Sequence, residues 1–422
     1  MKKYLIYGIG ENYQKCKDYF KGKVVGYIDK NHQDDLMEDG LPVYDISQIT
    51  SLNFDVCLIT STKYFNEIYK EATKYIDPKK IISFDELDFK QMFFDSYSDI
   101  VERFKNSSPK VNQKDYKNIY IVAPAGYHSG GPELLHQLCF QLNQMKKHCV
   151  MAYTNTSAVE KNAWTYAEYL SYVQYPSIDV KQIEDDSGNI VVIPETYAYL
   201  IKFFKHARVF FWWMSVDNFL NTVHKDDIQY IYTNVYLHLY QSEYANEFLK
   251  LLHLENKLPL SDYLSDSYQN SDLRQDERKN IVLYNPSKGI SFTKKIVDYA
   301  RDITFVPLQG LSKLEMKTVL KTSKVYIDFG NHPGKDRIPR EAALNGCCII
   351  TNRKGAAQNN IDIPIPEHFK FENNDELIPQ IVQCIRFCFE NYDNVQNEFC
   401  QYINEIQSEK RKFTDEIEQI FT

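Results

Sequence analysis

A polar segment between residues 331 and 351 carries the side chains best suited to chemistry. It reads NHPGKDRIPREAALNGCCIIT, which predicts a loop, a short helix and a buried strand. Proline suits the first helical turn and glycine the position just past the last one, so we expect the helix to begin near Pro339 and to end at Gly346. The loop then directs free backbone N–H groups and the positive end of a helix dipole at one point. Such a point favours a phosphate or a diphosphate.

Charged side chains surround the start of this helix. Lys335, Arg337 and Arg340 supply positive charge, and Glu341 follows one turn into the helix. A carboxylate at this position can bind the hydroxyl groups of a ribose, so the segment predicts a site for a sugar nucleotide. The alternative role of Glu341 is to stabilise the N-terminus of its own helix, which contributes about 0.3–1 kcal/mol.

Another basic residue belongs to the same predicted sheet. Lys288 and Gly289 follow the strand predicted at 281–284, in the sequence YNPSKG. From such a turn the lysine ammonium can reach a diphosphate held at the helix of Glu341. A Lys-Gly turn is common in proteins, so this prediction depends on its pairing with the loop at 331–341.

A glycine-rich turn, GYHSGGPE, spans residues 126–133 and follows the strand predicted at 119–122. Gly130 and Gly131 allow the backbone to approach a ligand closely. His128 is a candidate general base because the ordinary pKa of histidine lies near a neutral working pH; the alternative is a solvated loop histidine. Glu133 is the other candidate base, and its alternative role is to cap the helix that begins there.

The composition restricts the classes of function. A net charge of −8 argues against general nucleic-acid binding, which needs a basic surface. The longest strongly apolar run, at 209–216, is far shorter than the roughly 20 residues of a membrane span, and the N-terminal residues do not resemble a secretion signal. The nine cysteines are scattered without paired spacing, which fits a reducing compartment. We therefore expect a cytoplasmic protein.

The sequence also lacks the usual patterns of a metal site. No Asp-x-Asp pair occurs, and no cluster of histidines and cysteines has the spacing of a zinc site. Positive side chains and helix N–H groups can neutralise a diphosphate without a metal ion. We predict that the reaction requires no metal and no other cofactor.

Predicted strands and helices alternate, which indicates α/β domains with parallel sheets. We predict a Rossmann-like domain at 1–92, a helix and linker at 93–117, a second domain at 118–270, and a third domain with closing helices at 271–422. The strands are predicted at 4–7, 24–28, 55–60, 80–83, 119–122, 150–153, 190–193, 209–213, 228–233, 281–284, 303–306, 325–328 and 347–351. Two doubly wound domains in series predict a cleft that binds its ligand at the carboxyl ends of the strands.

Residues from about 119 to 371 resemble the GT-B class of nucleotide-sugar glycosyltransferases, the kind found in bacterial capsule and surface-polysaccharide gene clusters. The resemblance is carried by SGGPE at 129–133, NPSKG at 285–289 and REAALNGCCII at 340–350. The last motif is similar to the Glu-Ala-x-x-x-Gly signature of that class, in which the glutamate holds the donor ribose. The implied fold has two facing Rossmann-like domains, here preceded by a small additional Rossmann-like domain.

The resemblance also implies roles for individual residues. Lys288 and Lys335 would face the donor diphosphate, and the backbone from Gly334 to Asp336 would hold phosphate or donor sugar. Many retaining members carry a further glutamate eight residues before the signature glutamate, but that position is Pro333 here. Asp336 or His332 can substitute for it, which makes Asp336 a candidate catalytic residue. The departure leaves the stereochemical outcome open.

The N-terminal domain has a partial dinucleotide-binding motif. Gly8 and Gly10 follow the first predicted strand and Asp29 lies about 20 residues further on, but Tyr13 occupies the position of the third glycine. The segment to about residue 87 resembles the small Rossmann-like domains fused to sugar acyltransferases and C-methyltransferases. That resemblance implies a nucleotide-like ligand or a role in assembly, and it does not imply NAD chemistry.

Together these observations predict a metal-independent glycosyltransferase of surface-polysaccharide synthesis. It would move a sugar from a nucleoside-diphosphate donor to a saccharide or lipid-linked acceptor. Peripheral membrane contact and a homo-oligomer are compatible with the sequence, which leaves the donor base, the sugar and the acceptor open. The alternatives are an NAD-linked sugar-nucleotide oxidoreductase centred on Gly8, Gly10 and Asp29, and a non-catalytic nucleotide-binding scaffold.

Overall fold

A computed structural model of the chain describes residues 2–30, 36–107, 109, 116–265 and 278–421. The strands in these ranges are β1 (Tyr4–Tyr7), β2 (Val24–Ile28), β3 (Met37–Glu38), β4 (Leu41–Tyr44), β5 (Val56–Ile59), β6 (Ile81–Ser83), β7 (Asn118–Pro124), β8 (Cys149–Thr154), β9 (Ile178–Asp179), β10 (Asn189–Pro194), β11 (Arg208–Trp213), β12 (Val235–Tyr240), β13 (Lys257–Pro259), β14 (Lys279–Tyr284), β15 (Thr304–Pro307), β16 (Ser323–Asp328), β17 (Cys348–Asn352) and β18 (Lys370–Phe371).

The α-helices in the same ranges are α1 (Glu11–Cys16), α2 (Phe65–Ala72), α3 (Phe89–Phe104), α4 (Gly130–Gln144), α5 (Val216–Thr222), α6 (Ile228–Thr233), α7 (Glu243–Leu251), α8 (Ile290–Tyr299), α9 (Lys313–Thr322), α10 (Arg337–Leu344), α11 (Ile378–Glu390), α12 (Tyr392–Gln396) and α13 (Cys400–Phe421). Most of the linker predicted before residue 117, and the domain boundary predicted at residues 270 and 271, lie outside the described residues.

The N-terminal domain is built on a sheet with the strand order β3-β4-β2-β1-β5-β6. Its neighbouring strands are parallel except for β3 and β4, which are antiparallel. The residues of β1 and β5 are almost entirely apolar and buried, as a parallel sheet covered on both faces requires. The strand order changes direction between β1 and β5, so a crevice forms at the carboxyl ends of these two strands.

The second and third domains each contain a fully parallel sheet. The second sheet has the order β13-β12-β11-β10-β7-β8-β9 and changes direction between β7 and β10. The third has the order β15-β14-β16-β17-β18 and changes direction between β14 and β16. The loops after these four strands are therefore the expected ligand-binding loops of their domains.

Helix α3 attaches the N-terminal domain to the second domain. The Phe93 ring on α3 has its centroid 5.9 Å from that of Phe219 and 6.0 Å from that of Phe248. The hydroxyl of Tyr19 donates a buried hydrogen bond to the carbonyl oxygen of Leu220 at 2.7 Å. Apolar residues of both domains form one continuous buried cluster, so the N-terminal domain is packed firmly on the second domain.

The last helix, α13, returns from the third domain to the second. Phe413 stacks on Trp212 and Phe421 packs on Phe210, with ring centroids 6.4 and 5.5 Å apart. Glu416 accepts hydrogen bonds from the backbone N–H and the hydroxyl of Ser261, both at 2.6 Å. The first half of this helix packs in the core of the third domain, to which we assign it from the sequence, through Tyr402 and Ile406, and its second half completes the core of the second. None of the helices in the described ranges is both long enough and apolar enough to span a membrane.

The predicted fold class is confirmed: two facing Rossmann-like domains of the GT-B type follow a small additional Rossmann-like domain. The strand predicted at 228–233 is wrong, because those residues form helix α6 and the strand β12 follows it. The apolar residues of this segment are compatible with the alternation of a strand. In the structure Ile228, Ile231 and Tyr232 are buried, which is the spacing of a helix.

Candidate functional site

A cavity of about 450 Å³ lies between the second and third domains, at the carboxyl ends of both sheets. Loops after β7, β10, β11, β12, β14 and β16 contribute to it, so both switch points meet there. We call this space the first cavity. Its lining is formed by Ser129, Gly130, Gly131, Leu134, Glu195, Met214, Ser215, Asn218, Gln241, Asp262, Asn285, Lys288, Asp328, Pro333, Gly334, Lys335, Asp336, Arg337, Ile338 and Pro339.

Lys288 is a cation that the third sheet presents to the first cavity. The next residue, Gly289, has φ +59°, and a Cβ atom there would lie 2.3 Å from the carbonyl oxygen of Phe329. Only glycine therefore lets the loops after β14 and β16 approach each other. The Lys288 ammonium donates to the Oδ1 of Asp336 at 2.8 Å, which fixes it at the floor of the cavity.

Asp336 is held as an anion, which argues against its predicted catalytic role. Burial opposes ionisation, but Lys288 and His332 nevertheless hold the pKa of the Asp336 carboxyl well below its usual range. A carboxylate with so low a pKa accepts a proton weakly, so it is poorly suited to act as a general base. Its main contribution is to orient the Lys288 ammonium.

His332 is fully buried between two carboxylates. Its Nδ1 lies 3.1 Å from the Oδ2 of Asp336, and its Nε2 lies 3.9 Å from the Oδ1 of Asp328. The potential ligand atoms of these three residues lie within 4.8 Å of one another, a spacing that suits a metal ion. The Lys288 ammonium contacts Asp336 as well, so the same carboxylates also take part in ion pairs with Lys288 and His332. The predicted absence of a metal requirement stays a prediction.

Arg340 and Lys335 do not present their charges as the sequence predicts. The Arg340 guanidinium is 1% exposed and donates to Asp262 at 2.9 and 2.5 Å and to Glu409 at 2.8 Å. The Lys335 ammonium donates to the other oxygen of Glu409 at 3.1 Å, although Lys335 also lines the first cavity. Both cations thus neutralise buried carboxylates. One of these carboxylates, Glu409, lies on α13, far along the chain from both cations.

Arg337 is the basic residue of helix α10 that lines the first cavity. Its guanidinium forms an ion pair with Glu133 of the second domain and lies 3.6 Å from the carboxylate of Glu341. Gly130 provides the necessary space, because a Cβ atom there would lie 2.9 Å from the Cδ of Arg337. Glu133 is therefore an ion-pair partner in this structure, which weakens its case as a general base. Glu341 is buried beneath Arg337, and burial raises the pKa of its carboxyl.

The predicted phosphate-binding loop docks directly on the second domain. The backbone N–H of Val216 donates to the carbonyl oxygen of Pro333 at 3.0 Å, and that of Lys335 donates to the Oε1 of Gln241 at 3.2 Å. A Cβ atom on Gly334 would lie 2.5 Å from the carbonyl oxygen of Met214. The Lys335 N–H is thus engaged by the second domain in this structure, while Gly334 to Asp336 line the first cavity, so their role in holding phosphate or donor sugar stays a prediction.

His128 lies at the outer rim of the first cavity and is not part of its lining. Its ring lies against Tyr166 and Tyr169, with centroids 4.7 and 5.7 Å away. Its Nε2 is 3.5 Å from Glu168, which also forms an ion pair with Lys313 of the third domain. These contacts place His128 where the two domains meet and do not support its predicted role as the general base.

Glu195 lines the first cavity and was missed as a leading candidate. It directly follows β10 and is 1% exposed. Its carboxylate accepts hydrogen bonds from the backbone N–H of Met214 at 3.2 Å and from the amide of Asn218 at 3.4 Å. Burial outweighs these bonds and raises the pKa of Glu195 to about 7. A carboxyl group with this pKa can accept a proton near neutral pH.

The partial dinucleotide motif of the N-terminal domain is contacted by a neighbouring side chain at Gly8 and is open at Gly10. The Thr60 hydroxyl donates to the carbonyl oxygen of Gly8 at 2.7 Å, and Asn12 donates to that of Thr60 at 2.8 Å. A Cβ atom on Gly8 would lie 2.9 Å from the Thr60 hydroxyl, whereas Gly10 borders open space. A nucleotide-like ligand at Gly8, Gly10 and Asp29 stays a prediction.

The comparisons with known proteins found similarity of fold. The profile of a family described as C2185-like, N-terminal, matches residues 1–86. No curated protein matches the sequence significantly. A solved structure of the trehalose-6-phosphate phosphatase N-terminal domain from Candida albicans is similar, with a TM-score of 0.50 and 9% identity over 74% of this chain and 98% of that one. At that identity the likeness shows a shared fold.

Two further solved structures give lower scores. Anabaena Alr3699/HepE in complex with UDP-glucose has a TM-score of 0.48 and 10% identity over 72% of this chain and 98% of that one. A glycosyltransferase from Rickettsia africae ESF-5 has a TM-score of 0.45 and 12% identity over 73% of this chain and 100% of that one.

Proposed function

We propose that the chain is a glycosyltransferase that moves a sugar from a nucleoside-diphosphate donor to a saccharide or lipid-linked acceptor. The observation that carries this proposal is the composition of the first cavity. Lys288 and Arg337 line it from the third domain, and the buried Glu195 lines it from the second. Glycosyl transfer needs cations at the leaving diphosphate and a base at the acceptor hydroxyl, and this cavity supplies both.

The third domain would act on the donor. The bond between the anomeric carbon and the diphosphate oxygen breaks, and the diphosphate leaves with the electron pair. Lys288 and Arg337 would neutralise the negative charge that develops on it. To do so, the Lys288 ammonium would replace its contact with Asp336 by contacts with phosphate oxygens. The Arg337 guanidinium would likewise replace its contact with Glu133. Glu341, beneath Arg337, is the proposed partner of the ribose hydroxyls.

The second domain would act on the acceptor. The oxygen of an acceptor hydroxyl forms the new bond to the anomeric carbon, and its proton passes to the Glu195 carboxylate. A pKa of about 7 suits this task, because the group is substantially ionised at neutral pH and still basic enough to take a proton. Gly130 and Gly131 would allow the donor sugar to approach the α4 backbone.

We also propose that the transfer reaction requires no metal ion, because Lys288 and Arg337 would supply the positive charge that a divalent cation would otherwise supply to the diphosphate. Surface-polysaccharide synthesis is the proposed context, because the motifs at 129–133, 285–289 and 340–350 resemble those of transferases from such gene clusters. The proposed location is the cytoplasm.

Calorimetric titration with a panel of nucleoside diphosphates tests the donor site. We expect the wild-type chain to bind at least one of them, and Lys288→Ala to bind it about tenfold more weakly or worse, as expected for loss of a charged hydrogen-bond donor. Lys295→Ala is the matched control, because Lys295 is exposed and pairs with Asp375 away from the cavity. Lys288→Arg keeps the charge and should retain most of the affinity.

Equal affinity of the wild type and a folded Lys288→Ala variant would contradict the proposal. Sugar nucleotides of the bound base are then assayed for transfer to a panel of saccharide and lipid-linked acceptors. Nucleotide binding without transfer would favour the scaffold alternative. NAD binding that is abolished by Gly8→Val would favour the oxidoreductase alternative.

A further inference from the structure

A second cavity, of about 650 Å³, lies beside the first and extends to the N-terminal domain. Five residues line both cavities: Ser129, Gly131, Glu195, Met214 and Asn218. The two cavities are therefore adjoining compartments, and Glu195 stands where they meet. A substrate in the second cavity can reach the Glu195 carboxyl without entering the cationic part of the first.

The N-terminal domain supplies part of the wall of this second cavity. Glu11, Asn12 and Lys15 of α1 line it together with Asn221 and Thr222 of α5. The two helices are held together, because the Tyr19 hydroxyl just after α1 donates to the Leu220 carbonyl oxygen within α5. The wall contributed by the N-terminal domain is thus fixed relative to Glu195.

The lining offers groups that recognise sugar rings. Asn12, Asn155, Asn218 and Asn221 carry amides, which both donate to and accept from hydroxyl groups. The Oδ1 atom of Asn221 is buried and accepts no hydrogen bond from the residues that the structure describes, so a hydroxyl donor would satisfy it. The Tyr127 ring is 59% exposed and presents an apolar face on which the C–H groups of a sugar can pack.

The charges contributed by the N-terminal domain compensate each other. The Lys15 ammonium lies 2.6 Å from the Glu11 carboxylate, so this wall adds little net charge. Paired charges and many amides suit an uncharged polyhydroxy ligand better than a phosphate or a polyanion. The volume is within the range of about 300–1,000 Å³ typical of pockets for drug-sized ligands, which leaves room for more than one sugar ring.

We propose that the second cavity binds the saccharide acceptor, and that the N-terminal domain contacts sugar residues beyond the one that reacts. This inference rests on the proposed function, since it places the reacting hydroxyl at Glu195 and the following sugars toward α1. It gives the N-terminal domain a role in acceptor recognition that does not involve a nucleotide at Gly8 and Gly10.

The test compares three variants with the wild type, measuring binding to an oligosaccharide array and the KM for the acceptor. The double variant Glu11→Ala/Lys15→Ala removes the ion pair without changing the net charge. Glu102→Ala/Lys105→Ala is its matched control, an ion pair of the same 2.6 Å length at the C-terminal end of α3. Asn221→Leu removes the unsatisfied acceptor atom and provides an independent variant within the second domain.

We expect Glu11→Ala/Lys15→Ala to weaken oligosaccharide binding and raise the acceptor KM about tenfold, equivalent to about 1.4 kcal/mol. Single-sugar acceptors should be unaffected by this variant, and Asn221→Leu should weaken both acceptor types. The affinity for nucleoside diphosphate, measured by calorimetry, should stay unchanged in all variants. Glu11 and Lys15 are well exposed, so the double variant should fold.

The two proposals fail in distinguishable ways. The inference would be overturned if the wild type binds nucleotide but neither Glu11→Ala/Lys15→Ala nor Asn221→Leu changes the affinity for oligosaccharide. The proposed transferase function would not be affected by that result. Equal losses for single-sugar and longer acceptors in the double variant would also overturn it, because the N-terminal contact would not lie beyond the reacting sugar. Failure of the wild type to bind any nucleoside diphosphate would count against the proposed function itself.

Discussion

The guanidinium of Arg337 and the carboxylate of Glu133 form an ion pair beside the first cavity, joining the start of α10 in the third domain to the first turn of α4 in the second. Arg337 lines the proposed donor site, and Glu133 lies on the helix whose first residues, Gly130 and Gly131, line it from the other domain. A diphosphate that binds there must compete with Glu133 for the guanidinium. This relationship makes Arg337 both a contact between domains and a candidate ligand of the donor.

Arg337→Ala is expected to weaken nucleoside-diphosphate binding about tenfold or more, because a charged hydrogen-bond donor is lost from the cavity. Glu133→Gln should change affinity in the opposite direction, because a neutral amide competes with a diphosphate for the Arg337 guanidinium less strongly than a carboxylate does. Calorimetric titration measures both effects. Arg386→Ala is the matched control, because Arg386 is exposed and pairs with Asp302. Unaltered affinity in Arg337→Ala would remove this residue from the donor site.

Arg340→Met is expected to destabilise the fold by about 3–5 kcal/mol, because it leaves the buried carboxylates of Asp262 and Glu409 without their main cation. Urea unfolding followed by circular dichroism measures the loss, with Arg386→Met as the control. The folded fraction of Arg340→Met should bind nucleotide with wild-type affinity. A stable Arg340→Met variant with selectively weakened nucleotide binding would restore the role predicted from sequence.

Transfer activity should depend on a group with an apparent pKa near 7, with activity rising as Glu195 loses its proton. Glu195→Gln should lower kcat by about 10²–10⁴-fold, the usual contribution of a general base. Asp217, which lines a neighbouring pocket, has its pKa raised to about 6 mainly by burial, so the full profile is recorded for Asp217→Asn as well. Retention of the wild-type pH profile by Glu195→Gln would exclude it as the base.

The raised pKa of Glu195 also has a consequence for stability. The ordinary value is 4.5 and the folded value about 7, so the folded chain holds this proton more tightly than the unfolded chain. The free energy of unfolding should therefore fall as pH rises between these values, by up to about 3 kcal/mol from this group. Urea unfolding at pH 5 and pH 8 should show Glu195→Gln gaining stability relative to wild type at the higher pH.

Removal of divalent cations with EDTA should leave transfer unchanged. The reason is that the Lys288 ammonium already contacts Asp336 at 2.8 Å and would supply positive charge to the diphosphate. The assay compares EDTA-treated protein with the same protein after addition of Mg²⁺ or Mn²⁺. Activity that is lost with EDTA and restored by Mn²⁺ would instead assign Asp328, His332 and Asp336 as metal ligands.

Much of the fold could be predicted because its signals are local. Buried strands such as β10 and β11 are continuous apolar runs, and the helices between them show apolar residues at 3.6-residue spacing. The order of strands and helices then implies parallel sheets. The error at 228–233 arose because a short run of isoleucine and tyrosine satisfies either periodicity, and only packing decides between them.

The sequence by itself determined the α/β architecture and the approximate position of Lys288, since a lysine in the loop after a strand of a parallel sheet lies at the edge where ligands bind. It could not determine which basic residues of the 331–341 segment face that crevice. Glu409 arrives on α13 and Asp262 follows β13. Arg340 and Lys335 pair with these buried carboxylates, and of the two arginines on α10 only Arg337 lines the cavity. Only the tertiary structure decided this, because ion pairing depends on contacts between segments distant in the chain. The same holds for Glu195, whose raised pKa is a consequence of burial.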